Sequence, residues 1–289
     1  MRDRLRHAIA AASLLLAFAA LPAPAAIRAG FTEQVVADSL DSPVRMAFAG
    51  PGRVFVCEQA GRLRVVRDRR LLARPFVTVP THAVEEEGLL GVAVDPQFAR
   101  TKRVYVLYTA LTPTRHNVIA WYTANGDTAA GEGTIVYEFD THAAHQHVGG
   151  ALRFGPDGML YASSGECGDE NLSHALGSTA GKLLRIDRDG RIPRDNPFPT
   201  LTRRRHSAIW ARGFRNAFAF DFVPGTKRVF VNDVGGSAYE EVNDVRAGDD
   251  LGWPFAEGPR AGTGARLPRY PYTHADGCAI TGGACYPRA

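Results

Sequence analysis

Apolar and β-branched residues fall in short runs along this chain, and the runs come in matched sets. Four segments share one pattern: "MAFAGPGRVFVCEQAGRLRVV" from Met46, "VAVDPQFARTKRVYVLYTA" from Val92, "LRFGPDGMLYASSGE" from Leu152 and "FAFDFVPGTKRVFVNDVGG" from Phe218. Each holds an apolar strand, a turn containing Pro or Gly, and a second strand of β-branched or aromatic residues. The second strands start at Val54, Val104, Leu160 and Val229, spaced by 50 to 69 residues. Each is followed by a further strand candidate: "GRLRVV", "NVIAWYTA", "GKLLRIDRDG" and "YEEVNDVRAG".

One small antiparallel sheet repeated at this spacing is the mark of a β-propeller blade, whereas a sandwich gives no reason for four alike units. The expected fold class is therefore all-β, a propeller. The unequal spacing reflects loop insertions, which in such rings gather on one face and often build the site. Four blades are clear, and "CAITGGACYPRA" from Cys278 reads as the opening of a fifth. "GFTEQVVADSL" from Gly30 offers a partner strand for the last blade, so the ring is expected to be incomplete in this chain.

The N-terminus reads differently. Arg2, Arg4 and Arg6 precede an apolar run from Ala8 to Leu21 and the small triplet Ala23-Pro24-Ala25. That order is a secretory leader over residues 1–25, with 26–289 as the propeller domain. The run is too short for a comfortable membrane span, so no stable membrane insertion is expected. Periplasmic or secreted localisation follows. Losing three Arg and one Asp with the leader lowers the net charge from +4 to +2. So small a charge argues against nucleic acid as a partner. In an exported chain Cys57, Cys167, Cys278 and Cys285 allow disulfides, and Cys278 with Cys285 could bridge across a turn; none has zinc-type spacing.

Candidate chemistry concentrates in "THAAHQHVGGALRFGPDGMLYASSGE" from Thr141. His147 is expected where a strand begins, beside Gly149 and Gly150. The turn "GPDG" makes the following segments antiparallel, which returns Glu166 to the edge where His147 lies. A carboxylate beside an imidazole fixes its tautomer and raises its basicity, as a general base needs. The plainer reading is a structural histidine. His145 and His147, with His142 nearby, could instead form an HxH metal pair, but no Asp, Cys or Glu at matching spacing completes a closed site. Arg215 and Asn216 precede a strand and could face the same edge; the alternative for Arg215 is an ion pair between blades. Gly235 and Gly236 end the next strand, where free carbonyls suit a hard cation such as Ca²⁺. Glu240 and Glu241 read as a solvated loop. No nucleophile elbow, P-loop or dinucleotide fingerprint is present.

In order, "GLLGVAVDPQF", "QHVGGALRFGPDGMLYASSGE", "GKLLRIDRDGRIPRDNPF", "ARGFRNAFAF", "NDVGGSAYEEVNDV" and "DDLGWP" resemble the soluble quinoprotein glucose/sorbosone and aldose sugar dehydrogenases. The resemblance runs from about Ser42 to Tyr286. It implies a six-bladed propeller, of which this chain holds about four to five blades, carrying pyrroloquinoline quinone (PQQ) and Ca²⁺. It makes His147 the base that takes the proton of the sugar C1 hydroxyl, and Glu166 the acid that orients it. Arg215 and Asn216 contact the quinone, with Arg215 steadying charge on its oxygen. The carbonyls of Gly235 and Gly236 bind Ca²⁺, and Glu86 stands where the glucose enzymes have a cofactor-contacting Gln. Ala151 stands where Arg or Gln is common. The family's remaining cofactor contacts, a Lys and two Arg, and a cysteine partner for Cys278 would lie beyond Ala289.

The resemblance thus implies an aldose sugar and an electron acceptor as partners. Two competitors are a non-catalytic secreted propeller that binds a protein or glycan, and a Ca²⁺-dependent sugar-lactone hydrolase. The second would need carboxylates converging on the ion where the resemblance offers carbonyls.

Overall fold

The computed structural model describes residues 29–260 and 264–286, so the leader expected over 1–25 lies outside the described residues. The chain divides into two units, Met1–Val35 and Val36–Ala289. The described part of the first, residues 29–35, contains a turn and no strand.

The second unit is built from four antiparallel sheets in chain order. The first pairs Pro43–Phe48, Arg53–Glu58, Arg62–Arg67 and Arg70–Leu71, with Val77–Thr78 added to Arg62–Arg67. The second pairs Leu89–Val94, Arg103–Ala110, His116–Asn125 and Thr134–Thr141. The third runs Leu152–Phe154, Leu160–Ser164, Lys182–Ile186 and Ile209–Arg212, and the fourth Ala217–Phe222, Val229–Asp233, Tyr239–Val245 and Tyr270–Thr273. These are propeller blades. The first strands of the first three lie side by side, and Arg45 joins the first to the fourth by bonding the Phe218 carbonyl and stacking 4.6 Å over its ring.

The strands read as unbroken apolar runs because each central blade is covered on both faces. Successive side chains point to opposite faces, and the core follows that period. Val104, Val106 and Tyr108 pack with Phe55, Leu63 and Val65 of the first blade. Their neighbours Tyr105 and Leu107 pack with Leu160, Leu184 and Ile186 of the third. Tyr161 and Leu183 turn the other way, to Phe220, Val229 and Val231 of the fourth. Three clusters therefore cement three blade-to-blade interfaces.

The four second strands begin within one residue of their expected starts. Two expectations fail. Residues 31–40 and 278–286 form no strand, so neither the partner strand nor the fifth blade's opening is present among the described residues. Cys278 and Cys285 are unbridged, as are Cys57 and Cys167. Among the described residues no helix is long and apolar enough to cross a membrane.

Candidate active site

The loops between blades bring Glu86, His147, Glu166, Arg215 and Asn216 together. His147 lies in the loop after Thr134–Thr141, five residues before the strand Leu152–Phe154, and not at a strand start as expected. Its φ of +55° is left-handed, a conformation that a residue with a Cβ holds only when its neighbours enforce it. Three contacts enforce it. The His147 N–H donates to Glu86 Oε2 at 3.0 Å, its carbonyl accepts from the Cys167 N–H at 3.0 Å, and Nδ1 hydrogen-bonds Glu166 Oε1. Gly149 makes the close approach possible, since a Cβ there would lie 2.7 Å from the Ser164 Cα.

Glu166 reaches this point as its sequence suggested. Leu152↔Ala162 and Phe154↔Leu160 pair antiparallel, so the strand ending at Ser164 returns alongside the His147 loop. The Glu166 side chain is buried, and its N–H donates to the Arg215 carbonyl at 2.8 Å. On the other side of the ring, Arg215 Nη2 lies 3.0 Å from His147 Nε2, while Nη1 donates to the Val234 carbonyl at 3.2 Å. A guanidinium can only donate, and an ionised carboxylate can only accept. Together they set the ring: Nδ1 carries the proton and Nε2 presents its lone pair. Arg215 is thus no ion pair between blades.

Asn216 is a buried crosslink. Its Nδ2 donates to Glu86 Oε2 at 3.0 Å, its Oδ1 accepts the Gly149 N–H at 3.2 Å, and its N–H donates to Asp233 Oδ1 at 2.7 Å. Asp233 also accepts the Arg215 N–H at 3.1 Å. Burial, with the Glu241 charge opposite it in the sheet, pushes the Asp233 carboxyl well above its usual range.

Gly235 and Gly236 open the turn into Tyr239–Val245. A Cβ on Gly235 would run into the Tyr239 carbonyl oxygen, and one on Gly236 would meet Trp253 at 2.8 Å. Glu257 Oε1 collects the N–H groups of Gly236, Ser237, Ala238 and Tyr239 at 2.7 to 3.3 Å. Burial pushes the Glu257 carboxyl up, but those four bonds outweigh it and hold it low. Trp253, from "DDLGWP", lies under the Arg215 guanidinium at 5.5 Å. Asp233, Trp253 and Glu257 support the site yet were not singled out from sequence; Glu257 is 21 residues from Gly236, with no local pattern to betray it.

Two sequence readings need correction. Glu240 and Glu241 are buried in a strand, not in a solvated loop, because both faces of the fourth blade are covered there. His145 and His147 do not share a face: residues 145–147 form no strand, and His145 Nδ1 turns to Glu87 Oε2 at 2.8 Å.

The glucose / sorbosone dehydrogenase family model matches residues 40–280. Aldose sugar dehydrogenase YliI of Escherichia coli is 28% identical over 238 residues, which is 77% of this chain and 62% of that protein. Quinoprotein glucose dehydrogenase B of Acinetobacter calcoaceticus is 25% identical over 271 residues, 83% of this chain and 56% of that protein. The chain thus spans somewhat over half the length of these relatives. Among solved structures, the PQQ-bound aldose sugar dehydrogenase of Streptomyces coelicolor superposes with a TM-score of 0.76 at 30% identity, over 83% of this chain and 70% of that one.

Proposed function

The chain belongs to the glucose / sorbosone dehydrogenase family, and from that premise we propose that it oxidises the C1 hydroxyl of aldose sugars to lactones with PQQ and Ca²⁺, using His147 as base. The observation that carries this reading is the imidazole held between Glu166 at Nδ1 and Arg215 at Nε2.

The residues fit the cofactor with one exception. Carbonyl oxygens at Gly235 and Gly236 are hard donors of the kind Ca²⁺ takes, in a turn that admits no side chain. Arg215 supplies a guanidinium for anionic oxygens, while Asn216, its amide committed to Glu86 and Gly149, fixes the residues around it. Glu86 is the exception, because a carboxylate bonded to the His147 N–H and Asn216 would add negative charge to a site meant for an anionic quinone. Bound here, the quinone would accept hydride and Ca²⁺ would act on it as a Lewis acid.

The chain's own part is proton handling and orientation. The Nε2 lone pair takes the C1 hydroxyl proton as hydride leaves, so charge does not build on the sugar. Glu166 then faces an imidazolium and stabilises it. When the hydroxyl occupies Nε2, Arg215 retains its Val234 carbonyl and the Trp253 face, and its guanidinium would be available to an oxygen of the quinone. The leader read over residues 1–25 supports action outside the cytoplasm, in the periplasm or medium. His147→Ala is expected to abolish turnover while leaving quinone binding largely intact; unchanged turnover would remove His147 as base.

A further inference from the structure

A second histidine cluster stands apart from His147. His82 Nδ1 lies 2.7 Å and His145 Nδ1 2.8 Å from the same Glu87 Oε2, and the three ligand atoms lie within 4.8 Å of one another. Glu87 is fully buried, while the two histidine side chains are 29% and 33% exposed, so the carboxylate anchors a site that solvent can reach.

One oxygen of this arrangement has no proton to meet it. Arg115 Nη1 lies 2.6 Å from His145 Nδ1, closer than its 2.9 Å to Nε2 of that ring. With the proton on Nδ1 facing Glu87, Nε2 can accept from the guanidinium, so the ring itself is satisfied. Meanwhile Glu87 Oε1 is buried without a hydrogen bond, with Arg115 Nη1 3.6 Å away. A cation between Nδ1 of both histidines and Glu87 Oε2 would use lone pairs on all three atoms and leave Arg115 free to close on Oε1.

From this the geometry points to a binding site for a first-row divalent transition-metal ion, held by His82, Glu87 and His145, with the exposed side open to water. Two imidazoles and a carboxylate are the donor set such ions take. Ligand atoms around a zinc-sized ion stand roughly 3.3 Å apart, so each imidazole backs away from Glu87 by about half an ångström, which partly exposed rings can do. The ion would staple residues 82–87 to residues 142–147, where the Glu86 N–H already donates to the His145 carbonyl at 3.2 Å. Those segments carry Glu86 and His147, but the site does not depend on the sugar chemistry proposed for them.

Equilibrium dialysis of the full chain against Zn²⁺, with Co²⁺ absorption as a second readout of ligand type, tests this directly. Wild type and His147→Ala should each bind one ion at the cluster, and His82→Ala and His145→Ala should each weaken that binding by roughly 100-fold or more. Circular dichroism checks that the variants fold; His82→Gln replaces His82→Ala if the latter does not. Zn²⁺ binding that persists in both cluster variants, or is lost in His147→Ala, or is absent from wild type, overturns the assignment.

Discussion

Arg215 Nη2 and His147 Nε2 stand 3.0 Å apart, on the ring nitrogen opposite the one that faces Glu166. The imidazole is therefore clamped by a donor on one side and an acceptor on the other, with its backbone locked at positive φ between Glu86 and Cys167. An imidazole so constrained is held in one orientation, as the proposed role of base requires.

Glu166→Gln separates orientation from charge. The amide oxygen can still accept from Nδ1, but the imidazolium formed during turnover loses its counter-charge. We expect kcat to fall by roughly 10²-fold with KM nearly unchanged. A change confined to KM would mean that Glu166 acts on binding and not on the base.

Glu86→Gln tests the one misfit. The glutamine oxygen can keep both bonds that Oε2 now accepts, from the His147 N–H and Asn216 Nδ2, while the negative charge disappears. PQQ affinity should rise by roughly tenfold or more at unchanged stability, as removal of a nearby like charge requires. Weaker binding would show that the carboxylate itself serves the cofactor.

Much of this was legible in the sequence, and for a physical reason. Strands covered on both faces must be apolar throughout, so runs such as those at Val104 and Val229 announce themselves. His147 and Glu166 are joined by a single hairpin, and local antiparallel pairing carries one to the other. What was hidden depends on contacts between distant segments. His82 and Glu87 meet His145 across a whole blade's worth of sequence, and Glu257 reaches back to a turn it does not adjoin. Glu240 and Glu241 misled because alternation normally leaves one of two successive residues in water; here neither face is open.

Lys182 gives a test of the core. It is completely buried, and Nζ donates to the carbonyls of Leu172 at 2.7 Å, Ser173 at 2.9 Å and Ala180. Burial lowers its pKa from 10.5 to about 7, with the Arg212 charge adding to the effect. The folded pKa lies below the unfolded one, so the unfolded chain holds the extra proton. The cost is fully present below pH 7 and is lost as pH rises toward 10.5. Relative to Lys182→Met, wild-type stability should gain up to about 1.4 kcal/mol per pH unit through that window. The variant should also lose about 2 kcal/mol at pH 9, when its carbonyls lack a donor. Parallel stability curves from denaturant titrations would contradict the buried-amine account.

The central claim is that these loops hold a working quinone-dependent sugar site. It is tested most directly by titrating the purified chain with PQQ at fixed Ca²⁺ and following dye reduction with a panel of aldoses, then repeating the titration after chelation. The account requires saturable reduction that depends on the aldose and falls when Ca²⁺ is removed, as it must if the carbonyls of Gly235 and Gly236 are to hold the ion. A folded, β-rich chain that binds PQQ and Ca²⁺ yet reduces no dye with any aldose would contradict it.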